Sequence, residues 1–120
     1  MKYSNPFSRL FNASRYSLGG LRYALMNEQA FQYECVVFVI ILAVISFEPL
    51  SAELKIFLIF AWLIVMCLEL INSAVEKAFD LIDKNFRTEI KAGKDMLSAA
   101  VFIMVCFNIA AWILIFFSTP

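Results

Sequence analysis

Residues 96–117 read MLSAAVFIMVCFNIAAWILIFF, a run without a single formal charge. A helix rises 1.5 Å per residue, so about 20 apolar residues cross the ~30 Å hydrocarbon core of a bilayer. This run reaches that length by itself. Its apolar residues do not alternate with polar ones as barrel strands require, which leaves helix as the spanning structure. Two more apolar runs lie upstream. Residues 56–68 read IFLIFAWLIVMCL and continue in helical rhythm through Glu69–Phe79; residues 31–47 read FQYECVVFVIILAVISF. Each needs a polar extension at one end to reach spanning length. Thirty residues precede the first run and no small-residue cleavage site follows it, so it does not read as a cleaved signal.

Composition agrees. The 120 residues are 62% hydrophobic and 17% charged, against ~45–50% and ~25% in soluble domains. Ten basic and ten acidic residues cancel, which argues against a nucleic-acid partner. The chain has no His, which excludes His-based triads, bases and metal sites. Three glycines, with no Gly-rich phosphate motif, exclude a P-loop or dinucleotide cradle. Cys35, Cys67 and Cys106 each sit inside an apolar run and read as apolar filler. The expected fold is therefore one all-α membrane domain over 1–120. It has a surface-helix region over 1–28 and transmembrane helices over about 29–47, 54–82 and 94–117.

Glu48-Pro49 ends the first span, Pro49–Lys55 forms a short hairpin, and Asp83–Gly93 is a polar connection. Lys2, Arg9, Arg15 and Arg22 precede the first span; Lys77, Lys84, Arg87, Lys91 and Lys94 cluster around the second connection; the hairpin has only Lys55. This bias predicts a cytoplasmic N-terminus and second connection. Phe7, Leu10, Phe11, Ser14 and Leu18 share one helical face, with Arg9, Asn12 and Arg15 elsewhere, as in a helix lying in the membrane interface. Gly19-Gly20 is expected to break it.

The polar residues of the second span are not scattered. On a helix turning roughly 100° per residue, Asn72, Glu76, Asp80 and Asp83 all fall within roughly 60° of Glu69. They form one stripe at the expected cytoplasmic end, where Glu28 and Lys94-Asp95 also arrive. Hard cations such as Mg²⁺ take carboxylates plus substrate phosphates. A further carboxylate serves as general base toward a hydroxyl, and Arg or Lys binds phosphate. These parts suit phosphoryl transfer. A proton or cation path through Glu69 is an equally legal reading of the stripe, and a non-catalytic small membrane subunit is a third.

Glu69-Leu70-Ile71-Asn72-Ser73-Ala74-Val75-Glu76-Lys77-Ala78-Phe79-Asp80 resembles the E-x-x-N-[ST]-A-x-E-x-x-x-D signature of the small prokaryotic diacylglycerol kinases. Lys94-Asp95-Met96-x-Ser98-Ala99-Ala100-Val101 resembles their second motif. Tyr16-Ser17, Gly20-Leu21-Arg22 and Asn27-Glu28-x-Ala30-Phe31-x-x-Glu34 resemble their surface helix and entry to the first span. The resemblance implies a homotrimeric inner-membrane enzyme with shared active sites, its catalytic side cytoplasmic. Such an enzyme phosphorylates diacylglycerol with ATP and Mg²⁺ to give phosphatidic acid. It implies Glu69 as general base, Asn72 orienting groups around it, and Glu28 and Glu76 as metal ligands that also meet the nucleotide. Arg9, Tyr16, Lys94 and Asp95 would contact nucleotide, with support from the connection Asn85-Phe86-Arg87. Arg9, Ser17, Arg22, Ala30, Phe31, Glu34, Glu69, Ser98 and Trp112 would meet the lipid. A sister branch with the same acidic core phosphorylates undecaprenol. The run through Glu34, and Trp112, lean toward the diacylglycerol branch. Leu18, Leu25 and Phe47 stand where well-known members carry tryptophan.

Overall fold

The computed structural model describes residues 5–83, 85 and 87–118. Lys2, Lys84, Phe86 and the tail 119–120, which carried charge, nucleotide and boundary expectations, lie outside them. Four helices account for nearly all of the described chain: α1 (Pro6–Asn27), α2 (Gln29–Phe47), α3 (Ala52–Ile82) and α4 (Thr88–Ser118). No strand occurs among the described residues. The last three helices are long and apolar enough to cross a membrane.

Local chemistry explains most boundaries. The Asn5 side chain accepts from the Ser8 amide at 2.8 Å, and Pro6 follows at the first helical turn, where its missing N–H costs nothing. Pro49 disfavours a helical Glu48, which is extended at φ −92°, ψ 140° and ends α2. Ser51 caps α3, its hydroxyl accepting from the Leu54 amide at 3.3 Å. Asp83 is extended and closes α3, its carboxylate accepting from the Asn85 amide at 2.8 Å and pairing with Arg87 at 2.7 Å.

Two boundaries differ from the sequence reading. The surface helix does not break at Gly19-Gly20. Both glycines are helical, none among the described residues has positive φ, and α1 runs through to Asn27. Two glycines cost a helix roughly 1 kcal/mol each without forbidding it. The break falls instead at Glu28, the single extended residue (φ −109°, ψ 107°) between α1 and α2. Its N–H donates to the Ala24 carbonyl at 2.9 Å, and the Gln32 side chain donates to the Leu25 carbonyl at 2.8 Å, bracing the elbow. The second difference is at α4, which begins at Thr88 rather than near 94. The polar stretch after Arg87 is helical, supported by the i,i+4 pair Lys91–Asp95 at 2.6 Å.

α3 is the central element, packed against α2 on one side and α4 on the other, with α1 resting chiefly on α2. The core joins Ile41 and Ile45 of α2, Leu58, Trp62 and Val65 of α3, and Ala111 of α4. Leu58 and Val65 are fully enclosed. In lipid this packing is not driven by escape from water, because hydrocarbon is as apolar as leucine; close contact and interhelical hydrogen bonds hold the helices together. Two such bonds cross-link α3. Trp62 Nε1 donates to the Glu34 carbonyl of α2 at 2.9 Å. Asn108 of α4 donates to the Ala61 carbonyl at 3.1 Å. Gly93 permits a third close approach: a Cβ there would lie 2.6 Å from Phe79 Cζ of α3.

Candidate active site

The buried polar residues of α3 lie where its apolar part ends. Glu69 is 7% exposed and Asn72 9%. Farther along the same face Glu76 is half-buried and Asp80 exposed. The stripe therefore runs from the interior outward, as a helix leaving a bundle toward water must. Asp83 is the residue that ends the helix, not a member of its last turn.

Glu69 has no Lys or Arg in salt-bridge contact among the described residues. Its surroundings add negative charge. Glu34, Glu76 and Glu28 lie within electrostatic reach of it, and Asn72 lies one turn farther along the same face of α3. Two acceptors nearby are left over: Glu34 Oε1 and Asn72 Oδ1 are buried with no hydrogen-bond partner. A buried unsatisfied acceptor costs about 1–3 kcal/mol. The elbow, α2 and α3 thus bring together an acceptor-rich cluster. What it lacks is a donor, such as a hydroxyl, or a cation.

Glu28 enters from the elbow. Its backbone is pinned at the α1–α2 junction, and its carboxylate reaches α3, where Lys77 Nζ lies 2.8 Å from Oε1. The same ammonium sits 5.2 Å from the centroid of the Tyr23 ring of α1, in cation–π range. These residues edge an open groove of about 510 Å³ between α1 and α3, lined also by Ser17, Gly20 and Ser73. The Glu28 carboxylate therefore already holds a cation, the Lys77 ammonium. Among the described residues no three acidic, Cys or His side chains gather into a closed metal cage. Mg²⁺ needs none, since one or two carboxylates and substrate phosphates are its usual partners. Glu28 and Glu76, both within electrostatic reach of Glu69, are carboxylates of the kind such an ion takes.

The other expected site residues divide. Lys94 is paired with Asp80 at 2.9 Å, tying the ends of α3 and α4. Asp95 is paired with Lys91. Such part-exposed pairs are worth ~0–1 kcal/mol, and a polyphosphate can displace them. Tyr16, Ser17, Arg22, Ala30 and Ser98 are exposed. Phe31, expected against lipid, is 2% exposed and belongs to the interior beside the elbow: it packs rather than presents a surface. Arg9 lies about 27 Å along α1 from its end at Asn27, and Trp112 about 21 Å along α4 from Ser98. Trp112 instead stacks on Phe116 at 5.2 Å. Lys77 entered the sequence reading only as one of the basic residues that set orientation, and Tyr23, Trp62 and Asn108 were not singled out. A Trp within an apolar span, whose N–H must find a partner, was the available signal for Trp62.

Residues 15–116 match the prokaryotic diacylglycerol kinase family. The chain belongs to that family. The diacylglycerol kinase of Escherichia coli is 33% identical over 112 residues, covering 93% of this chain and 92% of its own. That of Haemophilus influenzae is 38% identical over 105 residues, covering 88% and 89%. That of Helicobacter pylori is 39% identical over 111 residues, covering 88% and 83%. The stretch matched to the prokaryotic diacylglycerol kinases contains the elbow, the acidic cluster and the Lys94–Ser98 turn. Arg9 lies outside it.

Proposed function

We propose that the chain is a membrane lipid kinase that transfers the γ-phosphate of ATP to the hydroxyl of diacylglycerol, giving phosphatidic acid and ADP. The observation that carries this reading is the buried Glu69 carboxylate, flanked by orphaned acceptors of Glu34 and Asn72 and free of any paired cation among the described residues. A substrate hydroxyl supplies the missing donor. The names of the relatives support the choice of lipid.

In this reading the lipid hydroxyl donates to Glu69, which takes its proton as the oxygen bonds to the γ-phosphorus. The bond from that phosphorus to the β-phosphate oxygen breaks, and ADP leaves with the electron pair. Asn72 holds the Glu69 carboxylate in its rotamer. Glu28 and Glu76 hold Mg²⁺, which when bound neutralises phosphate charge. Lys94 and Asp95, with Tyr16 and Arg9, meet the nucleotide once their present pairs open. Arg9, Ser17, Arg22, Ala30, Glu34, Ser98 and Trp112 form the lipid side. Arg9 and Trp112 lie far along their helices from Asn27 and Ser98, which fits active sites shared between the copies of a homotrimer. The Lys and Arg bias supports a catalytic end on the cytoplasmic side, and the bacterial sources of the relatives support a bacterial inner membrane as its place.

The test supplies purified protein with MgATP and either diacylglycerol or undecaprenol, and follows phosphate into lipid. Transfer to diacylglycerol is expected. Preference for undecaprenol would move the chain to the sister activity, and transfer to neither would refute the kinase reading.

A further inference from the structure

The Lys77–Glu28 contact does more than an ordinary surface pair. Residues 49 apart in sequence meet across an elbow, with nitrogen and oxygen 2.8 Å apart. The carboxylate is the better shielded member, its side chain 22% exposed against 51% for the lysine. The lysine thus reaches in from water to a fixed acid. Tyr23 backs the ammonium from the third side, and the groove beside it is open. A four-carbon stem with three rotatable donors leaves such a position readily, whereas Glu28 is tied to an extended backbone joint and cannot follow.

We propose that Lys77 is a positioning residue. It is a tethered cation that holds the Glu28 carboxylate toward α3 while the site is empty, and it gives that carboxylate up to the divalent ion arriving with nucleotide. The inference rests on the reading above, in which Glu28 is a metal ligand. A divalent ion offers twice the charge of an ammonium, and repulsion between two cations on one carboxylate drives the ammonium off Oε1. Once released, the ammonium stays beside Tyr23 at the groove edge, where phosphate oxygens carry the charge it lost. Before loading, Lys77 offsets the repulsion between Glu28 and the other carboxylates.

The test titrates detergent-solubilised protein with Mn²⁺ alone, following bound ion by electron paramagnetic resonance. Neither nucleotide nor lipid is present. Lys77→Met should bind Mn²⁺ about two- to fivefold more tightly than the parent chain, the weight of one part-exposed ion pair. Lys77→Arg, which restores a cation, should return affinity to the parent value or below it. Glu28→Gln added to Lys77→Met should remove the gain. A purely structural ion pair would change unfolding temperature and leave Mn²⁺ affinity alone. Equal, weaker or undetectable Mn²⁺ binding by Lys77→Met overturns the proposal, and so does a gain that survives Glu28→Gln. A second measurement needs no variant. In the parent chain Mn²⁺ should raise the rate at which an amine-reactive reagent labels Lys77, read by mass spectrometry, and an unchanged rate overturns the proposal. Failure to phosphorylate either lipid would remove the kinase reading and leave these titrations interpretable, because they contain no substrate.

Discussion

Replacing Glu69 with Gln exchanges one carboxylate oxygen for an amide nitrogen at a side chain only 7% exposed. Shape is nearly conserved, so the change isolates charge and basicity. Two effects of opposite sign follow. Catalysis loses its general base, a contribution of about 10²–10⁴ in turnover. Stability gains, because Glu69 stands among Glu34, Glu76 and Glu28. At an effective dielectric near 20, removing one member of such a cluster relieves on the order of 1–2 kcal/mol of repulsion. The new amide also brings N–H donors beside the orphaned acceptors of Glu34 and Asn72. The assay pairs steady-state phosphorylation of diacylglycerol in mixed micelles with thermal unfolding in the same detergent. The expected variant is at least about a hundredfold slower and melts higher than the parent chain. A variant that retains more than about a tenth of the parent turnover refutes Glu69 as base. One that is inactive and also less stable refutes the picture of a strained acidic pocket and points to a structural role instead.

Further predictions concern the elbow and the helix contacts. Glu28→Gln and Glu76→Gln should each raise the Mg²⁺ concentration needed for half-maximal turnover, with excess chelator abolishing transfer and added Mg²⁺ restoring it; unchanged Mg²⁺ dependence in both variants removes them as ligands. Gly93→Leu should destabilise by about 1–3 kcal/mol, because a side chain there meets the Phe79 ring at 2.6 Å, and Phe79→Ala in the same chain should recover most of the loss in a denaturation double-mutant cycle. Asn108 is 3% exposed, with Oδ1 unpartnered, and its bond to the Ala61 carbonyl is worth about 0.6 kcal/mol by the measured average for membrane helices. Asn108→Leu should therefore be neutral or stabilising, while Asn108→Asp should cost about 3 kcal/mol by placing a charge within the span.

What could be read from the sequence was whatever depends on local order. The uncharged run 96–117, the Pro49 break and the spacing of Glu69, Asn72 and Glu76 each report one helix, so the three apolar helices and the polar face followed from them. The elbow did not follow. Gly19-Gly20 looked like the break because glycine weakens helices, yet nothing in the fold requires a turn there. The turn is made at Glu28, an ordinary residue, because Ala24 and Gln32 supply partners for the interrupted backbone. Phe31 was implied as a lipid contact by the family resemblance, whereas in this fold it is enclosed beside the elbow. The pairs Lys77–Glu28 and Trp62–Glu34 join residues far apart in sequence, and no periodicity encodes such contacts.

The central claim is that this chain phosphorylates a lipid hydroxyl. It is tested most directly by incubating the purified protein with γ-labelled ATP, Mg²⁺ and diacylglycerol and separating the lipid products. Labelled phosphatidic acid from the parent chain, absent with Glu69→Gln, is the predicted result. No label in any lipid, with undecaprenol tried in parallel, would contradict it.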